Sequence, residues 1–263
     1  MKQKTQKLTY IIAHGVLVVF LSSIVLYLLL HRILPQPFET GTHDRLEPIA
    51  PFLLPTFLHI ILSFIGMVPA LYLPATSKNE IERVLMPPMY LSMTLTNIPV
   101  IVHAMAYREM GLIGMNPVAR IYVFAILFTT ILLLFMGLFH LGINTSKIFQ
   151  FTLLAALGCI LIAVMVPLSV AMNPMDQTMW ITDRQFFLIP LLVGVIAGFN
   201  YLAIYLRERL QHSLFQSISI ILIISGYLLN VSRMSGPMVW LGIIFFGIGI
   251  VIGIPRGRFS QIQ

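Results

Sequence analysis

The feature that most constrains this chain is a repeated alternation of long apolar stretches with short polar ones. A hydrocarbon core of about 30 Å is crossed by roughly 20 apolar residues in a helix. Eight stretches meet or approach that length: residues 8–30, 51–75, 86–106, 121–143, 151–171, 186–206, 214–230 and 238–254. The seventh is the shortest and is rich in serine, and the third is the most polar. Only 10% of the 263 residues are charged and 58% are hydrophobic, whereas a soluble domain typically carries about 25% charged residues. No water-facing surface can be built from that composition. The expected fold is therefore all-α, a single polytopic transmembrane helix bundle of about eight spans, with the lipid bilayer as its first partner.

The net charge of +7 is a matter of topology. The cations lie in short runs between the apolar stretches, so the basicity does not make a nucleic-acid surface. With the N-terminus inside, the cytoplasmic side holds Lys2, Lys4, Lys7, Lys78, Arg83, Lys147, Arg207, Arg209, Arg256 and Arg258. The opposite side holds Arg32, Arg45, Arg108, Arg120, Arg184 and Arg233. Ten against six favours an N-in, C-in orientation by the positive-inside rule. The apolar run after Lys7 is longer than a signal-peptide core of roughly 7–15 residues, so it reads as a retained first helix. The expected location is the cytoplasmic (inner) membrane of a bacterium.

The acidic residues Glu39, Asp44, Glu47, Glu80, Glu82, Glu109, Asp176, Asp183 and Glu208 all fall in loops or at helix ends. Ion-coupled transporters generally need an ionisable group inside the membrane, so the pattern argues against a carboxylate-driven pump and leaves a passive channel or a neutral-solute permease open. No phosphate-binding loop or paired metal motif is present, and nothing names a reaction, which points away from an enzyme. Cys159 lies within an apolar run and is the single cysteine, so no intramolecular disulfide can form. The Asn-Pro pairs at 116–117 and 173–174 read as turn initiators. Gly194 and Gly198, and Gly249 and Gly253, stand at the four-residue spacing that lets helices approach closely. Prolines at 55, 69, 99, 167 and 190 fall within spans and mark bends.

Two groups of polar side chains inside the stretches are candidates for a site. Ser92, Thr96, Pro99 and His103 recur at helical spacing, and on a continuous helix at 100° per residue they fall within about 60° of one face. Asn97 lies beside them, and Tyr107, Arg108 and Glu109 cap the outer end. Such a stripe has to face protein or water, because an unsatisfied polar group in lipid costs several kcal/mol. Ser92, Thr96, Asn97 and His103 are thus expected to line a cavity wall or to bond neighbouring helices. The second group is histidine: His14 and His140 toward the inner side, His59 and His103 toward the outer. Two pairs of imidazoles on facing helices could ligate haem b; separate hydrogen bonds between helices are the alternative.

Three functional readings follow. The first is a permease-like or structural membrane subunit of a larger assembly, with other membrane or cytoplasmic subunits as partners. The second is a transmembrane module that senses a ligand and signals through a separate partner. The third is a haem or quinone redox subunit using His14, His59, His103 and His140.

Overall fold

A computed structural model describes residues 2–33, 50–72, 80–107, 115–142, 145–167, 188–208, 211–232 and 236–253. Among them, nine α-helices and one short 3₁₀ turn form the bundle. They are α1 (Lys2–Ile33), α2 (Ala50–Leu71), α3 (Glu80–Leu95), α4 (Val100–Tyr107), α5 (Met115–His140), the turn Thr145–Lys147, α6 (Ile148–Met165), α7 (Leu188–Glu208), α8 (Gln211–Ser232) and α9 (Gly236–Gly253). Eight segments are long and apolar enough to cross a membrane, with α3 and α4 sharing the third, Ile81–Ala104. The protein is an all-α integral membrane bundle of eight spans. The loop cations Arg45, Lys78, Arg108, Arg184, Arg233, Arg256 and Arg258, the side chains of Tyr107, Arg108 and Glu109, and the pair Asn173-Pro174 lie outside the described residues.

Contacts between helices show which ends lie together. One end gathers Lys7, whose ammonium sits 5.4 Å from the centre of the Tyr72 ring, together with Glu82, His140 and Gln216. At the other end Gly236 meets Pro51, and Arg120 reaches the last carbonyls of α6. Its guanidinium donates to Ala163 O at 2.8 Å and to Val164 O, and its Nε to Asn116 Oδ1 at 2.7 Å. Arg120 thereby satisfies carbonyls that a helix C-terminus leaves open. Asn116-Pro117 belongs to the first turn of α5 and not to a loop, as suits proline where the missing N–H has no partner to lose. Pro167 ends α6: Val166 before it is extended (φ −60°, ψ 125°), the conformation that a following proline imposes.

The third and fourth spans are the most enclosed, each 67% buried, against 17% for α6. Met67, Leu85, Met89, Met93, Ile126 and Met136 are fully buried where α2, α3 and α5 meet. Exposed Leu153, Leu154, Leu157, Leu161 and Val164 give α6 an apolar outer face.

The tightest helix pair is α8 with α9. A Cβ added at Gly226 would stand 2.5 Å from Phe246 N and 2.6 Å from Gly242 O, and one at Gly242 would stand 2.9 Å from Gly226 O. The two backbones touch because neither residue has a side chain. Gly249 and Gly253 pack in the same seam, against Ser219. Gly194 meets Leu228, whereas Gly198, four residues on, meets nothing within 4 Å. The serines of α8 explain how this polar span survives in lipid. Ser217 donates to Tyr201 O at 2.8 Å, Ser219 to Gly249 O at 2.7 Å and Ser232 to Leu229 O at 2.9 Å.

Gly226→Val is expected to destabilise the bundle by about 1–3 kcal/mol, as overpacking against fixed backbone does. Gly158→Ala, where an added Cβ meets nothing within 4 Å, is expected to be neutral. Thermal unfolding of the two purified variants in detergent measures the difference.

Candidate functional site

The third span is interrupted. After Leu95 the chain makes turns through Thr96, Asn97, Ile98 and Pro99 before α4 begins at Val100. Proline is the physical cause. In a continuous helix the N–H of residue 99 would bond Leu95 O; Pro99 has none, and its ring crowds that carbonyl. The backbone tightens to three-residue bonds instead: Asn97 N to Thr94 O at 3.1 Å, Ile98 N to Leu95 O at 3.0 Å, Val100 N to Asn97 O at 3.1 Å and Ile101 N to Ile98 O at 3.0 Å.

That shift takes Asn97 N away from Met93 O, and side chains fill the gap. Thr96 Oγ1 donates to Met93 O at 2.6 Å and Asn97 Nδ2 lies 3.3 Å from the same oxygen. Asn97 Nδ2 also reaches Thr94 O at 3.2 Å. Thr96 and Asn97 are almost wholly buried. Non-helical backbone at membrane depth persists only where protein or enclosed water satisfies it, and here the two side chains of the break itself do so.

The same turns draw in two histidines. Asn97 Nδ2 is 2.9 Å from His59 Nδ1 on α2, which accepts the bond in its Nε2–H tautomer. His59 is fully buried, stacked 6.5 Å from the Tyr227 ring of α8 and tilted 4.9 Å from Phe246 of α9. One turn earlier on α3, Thr94 Oγ1 lies 2.6 Å from His14 Nε2 on α1. His14 Nδ1 lies 2.8 Å from Met67 Sδ on α2, and its ring meets Phe64 edge-on at 5.4 Å. Thr94 bonds on to Tyr90 O at 3.2 Å. His14, Thr94, Asn97 and His59 thus form one polar network that ties α1, α2 and α3 at the break.

The expected stripe is corrected by this geometry, because its four residues do not share a continuous helix. Ser92 donates to Ala125 O of α5 at 3.0 Å, Asn97 faces α2, Thr96 turns onto its own backbone, and His103 is buried on α4, beyond the break. The histidines divide differently from the inner and outer pairs expected. His14 and His59 bond to Thr94 and Asn97 at the break, while His140 lies against Glu82, away from it.

His140 belongs to a second polar cluster. Its Nε2 lies 2.9 Å from Glu82 Oε1, and Gln216 Nε2 of α8 donates to the same oxygen at 2.7 Å. The ring of Tyr201, from α7, stands 6.1 Å from the His140 ring. Gly137 makes this approach possible: a Cβ there would stand 3.0 Å from Asn200 Cβ and 3.6 Å from Tyr201 Cε2. Glu82 is 7% exposed and Tyr201 1%; Glu82 stands at a helix end, in the first turn of α3, and is nonetheless covered by its neighbours. The span begins at Ile81, five residues before the apolar stretch 86–106, because the polar residues ahead of that stretch are covered by neighbouring helices. A usable signal does lie in the sequence: Glu82 is in helical register with Leu85, Met89 and Met93, all fully buried. Among the described residues, no group of three or more His, Cys, Asp and Glu is placed to hold a metal ion.

A bundle with a broken, polar third span and a covered carboxylate–imidazole pair defines the class: an integral multi-pass membrane protein with two polar centres enclosed between its helices. No protein-family model matches the chain, and no curated protein matches it in sequence.

Asn97→Ala is expected to cost about 1–3 kcal/mol, the range for leaving buried polar partners unsatisfied, because Met93 O, Thr94 O and His59 each lose a contact. Thr152→Ala, which removes only a bond to the carbonyl of its own helix, Ile148 O at 2.8 Å, serves as the reference. Unfolding in mixed micelles compares them, and equal stability would contradict the role given to Asn97.

Proposed function

We propose that the protein is a permease-like membrane component, alone or as a subunit of a larger assembly, that lets a small uncharged polar solute pass through the bundle beside the broken third span. The observation that carries the reading is the interruption at Thr96–Pro99 in one of the two most enclosed spans, lined by groups from three helices. Interrupted helices are the usual way for a membrane protein to offer hydrogen-bonding backbone in mid-bilayer. The groups at the break are imidazoles, hydroxyls, an amide and carbonyls, with no carboxylate or Lys/Arg among them. Such a set exchanges hydrogen bonds with a neutral solute and gives a charged one no counter-ion.

The arrangement is a closed one, since the network is filled by its own side chains. Opening it would move α4, an eight-residue helix, against α1 and α5, on which it packs. The cytoplasmic membrane of a bacterium, with both ends inside, belongs to the same proposal and rests on the distribution of Lys and Arg. The haem reading receives less support. His14 has both ring nitrogens engaged, by Met67 and Thr94, and His140 is engaged by Glu82.

The test uses proteoliposomes of the full chain and stopped-flow light scattering with glycerol, erythritol and urea as probes. Wild-type vesicles are expected to re-swell faster than empty ones for at least one probe. His59→Ala and Asn97→Ala, where they remain folded, are expected to lower that rate about tenfold or more, as a barrier higher by about 1.4 kcal/mol or more would do. Wild-type rates equal to those of empty vesicles for all three probes would remove the support for this reading.

A further inference from the structure

We infer that Ser63 of α2 is a solute-binding residue at the break, and that the solute it takes is a small polyol of glycerol's size. The inference deepens the permease reading and rests on it for transport, while binding at Ser63 can be read apart from flux.

The observation is an enclosed hydroxyl that bonds nothing. Ser63 is fully buried, and its Oγ has no hydrogen-bond partner. Burying a hydroxyl without a partner opposes folding. A partner is at hand, because a serine or threonine inside a helix can turn its hydroxyl onto the carbonyl four residues back. Ser23 does so to Val19 O at 2.7 Å, Thr130 to Ile126 O at 2.7 Å and Thr152 to Ile148 O at 2.8 Å. Ser63 makes no such bond to the carbonyl of His59.

Its neighbours on α2 show which way this part of the helix faces. Residues three and four away share a face. Four before Ser63, His59 Nδ1 lies 2.9 Å from Asn97 Nδ2 of the break. Three after it, Gly66 packs so closely on α3 that an added Cβ would stand 2.6 Å from the Tyr90 ring. Four after it, Met67 Sδ lies 2.8 Å from His14 Nδ1, whose Nε2 is 2.6 Å from Thr94 Oγ1. Ser63 therefore stands between the two histidine contacts, on the face of α2 that packs on α3 and its break. His14, Thr94, Asn97 and His59 engage one another, and the Ser63 hydroxyl is left over.

A spare hydroxyl beside exchangeable bonds selects a type of ligand. In the closed bundle the network fills the site, so a solute enters by taking over bonds that Thr94 and Asn97 now make to the histidines. A bond to Ser63 is gained without breaking one inside the protein, and it offsets part of that exchange. The groups to be met differ in role: the Asn97 amide nitrogen donates, His59 Nδ1 accepts, and the hydroxyls of Thr94 and Ser63 do either. A ligand hydroxyl also does either, so it can pair with any of them. Urea is less well matched, since its nitrogens only donate and its one carbonyl only accepts. His59 and Ser63 are one turn apart, about 6 Å along the helix axis, a separation that the terminal hydroxyls of a three-carbon polyol can bridge.

Thiol labelling of the full chain in proteoliposomes tests binding. Ser63→Cys is made in a Cys159→Ala background, which removes the single native cysteine, and its reaction with neutral hydroxyethyl methanethiosulfonate is followed. Leu157→Cys, on the exposed apolar face of α6, is the lipid-facing control. The thiolate is the reactive form, so a thiol in lipid stays inert while one on a watered path reacts. The Ser63→Cys thiol is expected to react about tenfold or more faster than the control, and glycerol is expected to slow it while urea at the same concentration does not. A rate equal to the control, or no protection by glycerol, would overturn the site; equal protection by urea would overturn the polyol class. Ser63→Ala decides the matter if Ser63→Cys fails to fold. It removes no hydrogen bond, so its thermal unfolding in detergent is expected to match the wild type, while its glycerol flux falls about tenfold. Lower stability or unchanged flux in Ser63→Ala would overturn the role given to Ser63. Glycerol protection without any flux through wild-type vesicles would overturn the permease reading alone.

Discussion

Inside a bilayer, every backbone N–H and C=O has to find its partner within the protein, and this constraint is most exposed at Pro99. One missing N–H frees Leu95 O and moves the bonding of the next residues from four-residue to three-residue spacing. Ile98 N takes the freed carbonyl, and Thr96 and Asn97 cover Met93 O. Because Asn97 is held there, its amide is aimed at His59. The position of a polar side chain on α2 thus depends on an absent hydrogen in the break between α3 and α4. The α8–α9 seam answers the same constraint in another way. Glycine removes the side chains between two backbones, and Ser219 adds a bond to Gly249 O.

The spans were legible because apolar length is a one-dimensional property. Eight stretches read from the sequence correspond to the eight spans, and the serine-rich seventh proved sound because its hydroxyls bond to carbonyls. What the sequence concealed was three-dimensional. The face shared by Ser92, Thr96 and His103 assumed an unbroken helix, and Pro99 was read as a bend in that helix. Burial of Glu82 depends on α5, α7 and α8 closing over it, which no local window contains. The glycine seam shows the same division. The pair 249–253 was visible by its spacing, but Gly226 and Gly242 matter because they meet each other across two helices.

The two polar centres differ in their electrostatics. Around the break the groups are neutral and bond to one another, so an ordered arrangement satisfies nearly all of them at once. At Glu82 one oxygen accepts from Gln216 and lies 2.9 Å from His140 Nε2, while the other is enclosed without a hydrogen-bond partner. The first centre bonds neutral groups to one another, and the second sets a carboxyl group beside an imidazole.

Both centres are carried by the same span, and its prolines decide how a change at one could reach the other. Glu82 and Asn97 are 15 residues apart, about 22 Å along a helix. Between them Pro87 and Pro88 lie inside α3, so the carbonyls of Arg83 and Val84 lack the N–H bonds that residues four further on would otherwise give. Met89, Tyr90 and Met93 beyond them are fixed in the core. The span is therefore divided into a short first segment bearing Glu82, a packed middle, and α4 beyond the break. Segments joined at prolines can pivot without losing further backbone bonds, since the bonds that would resist are already absent. A displacement at Glu82 would act first on the contacts of that segment with α5 and α8. Its effect at the break then depends on whether the packed middle moves as a unit, and the interlocked Met89 and Met93 favour rigid movement over local yielding.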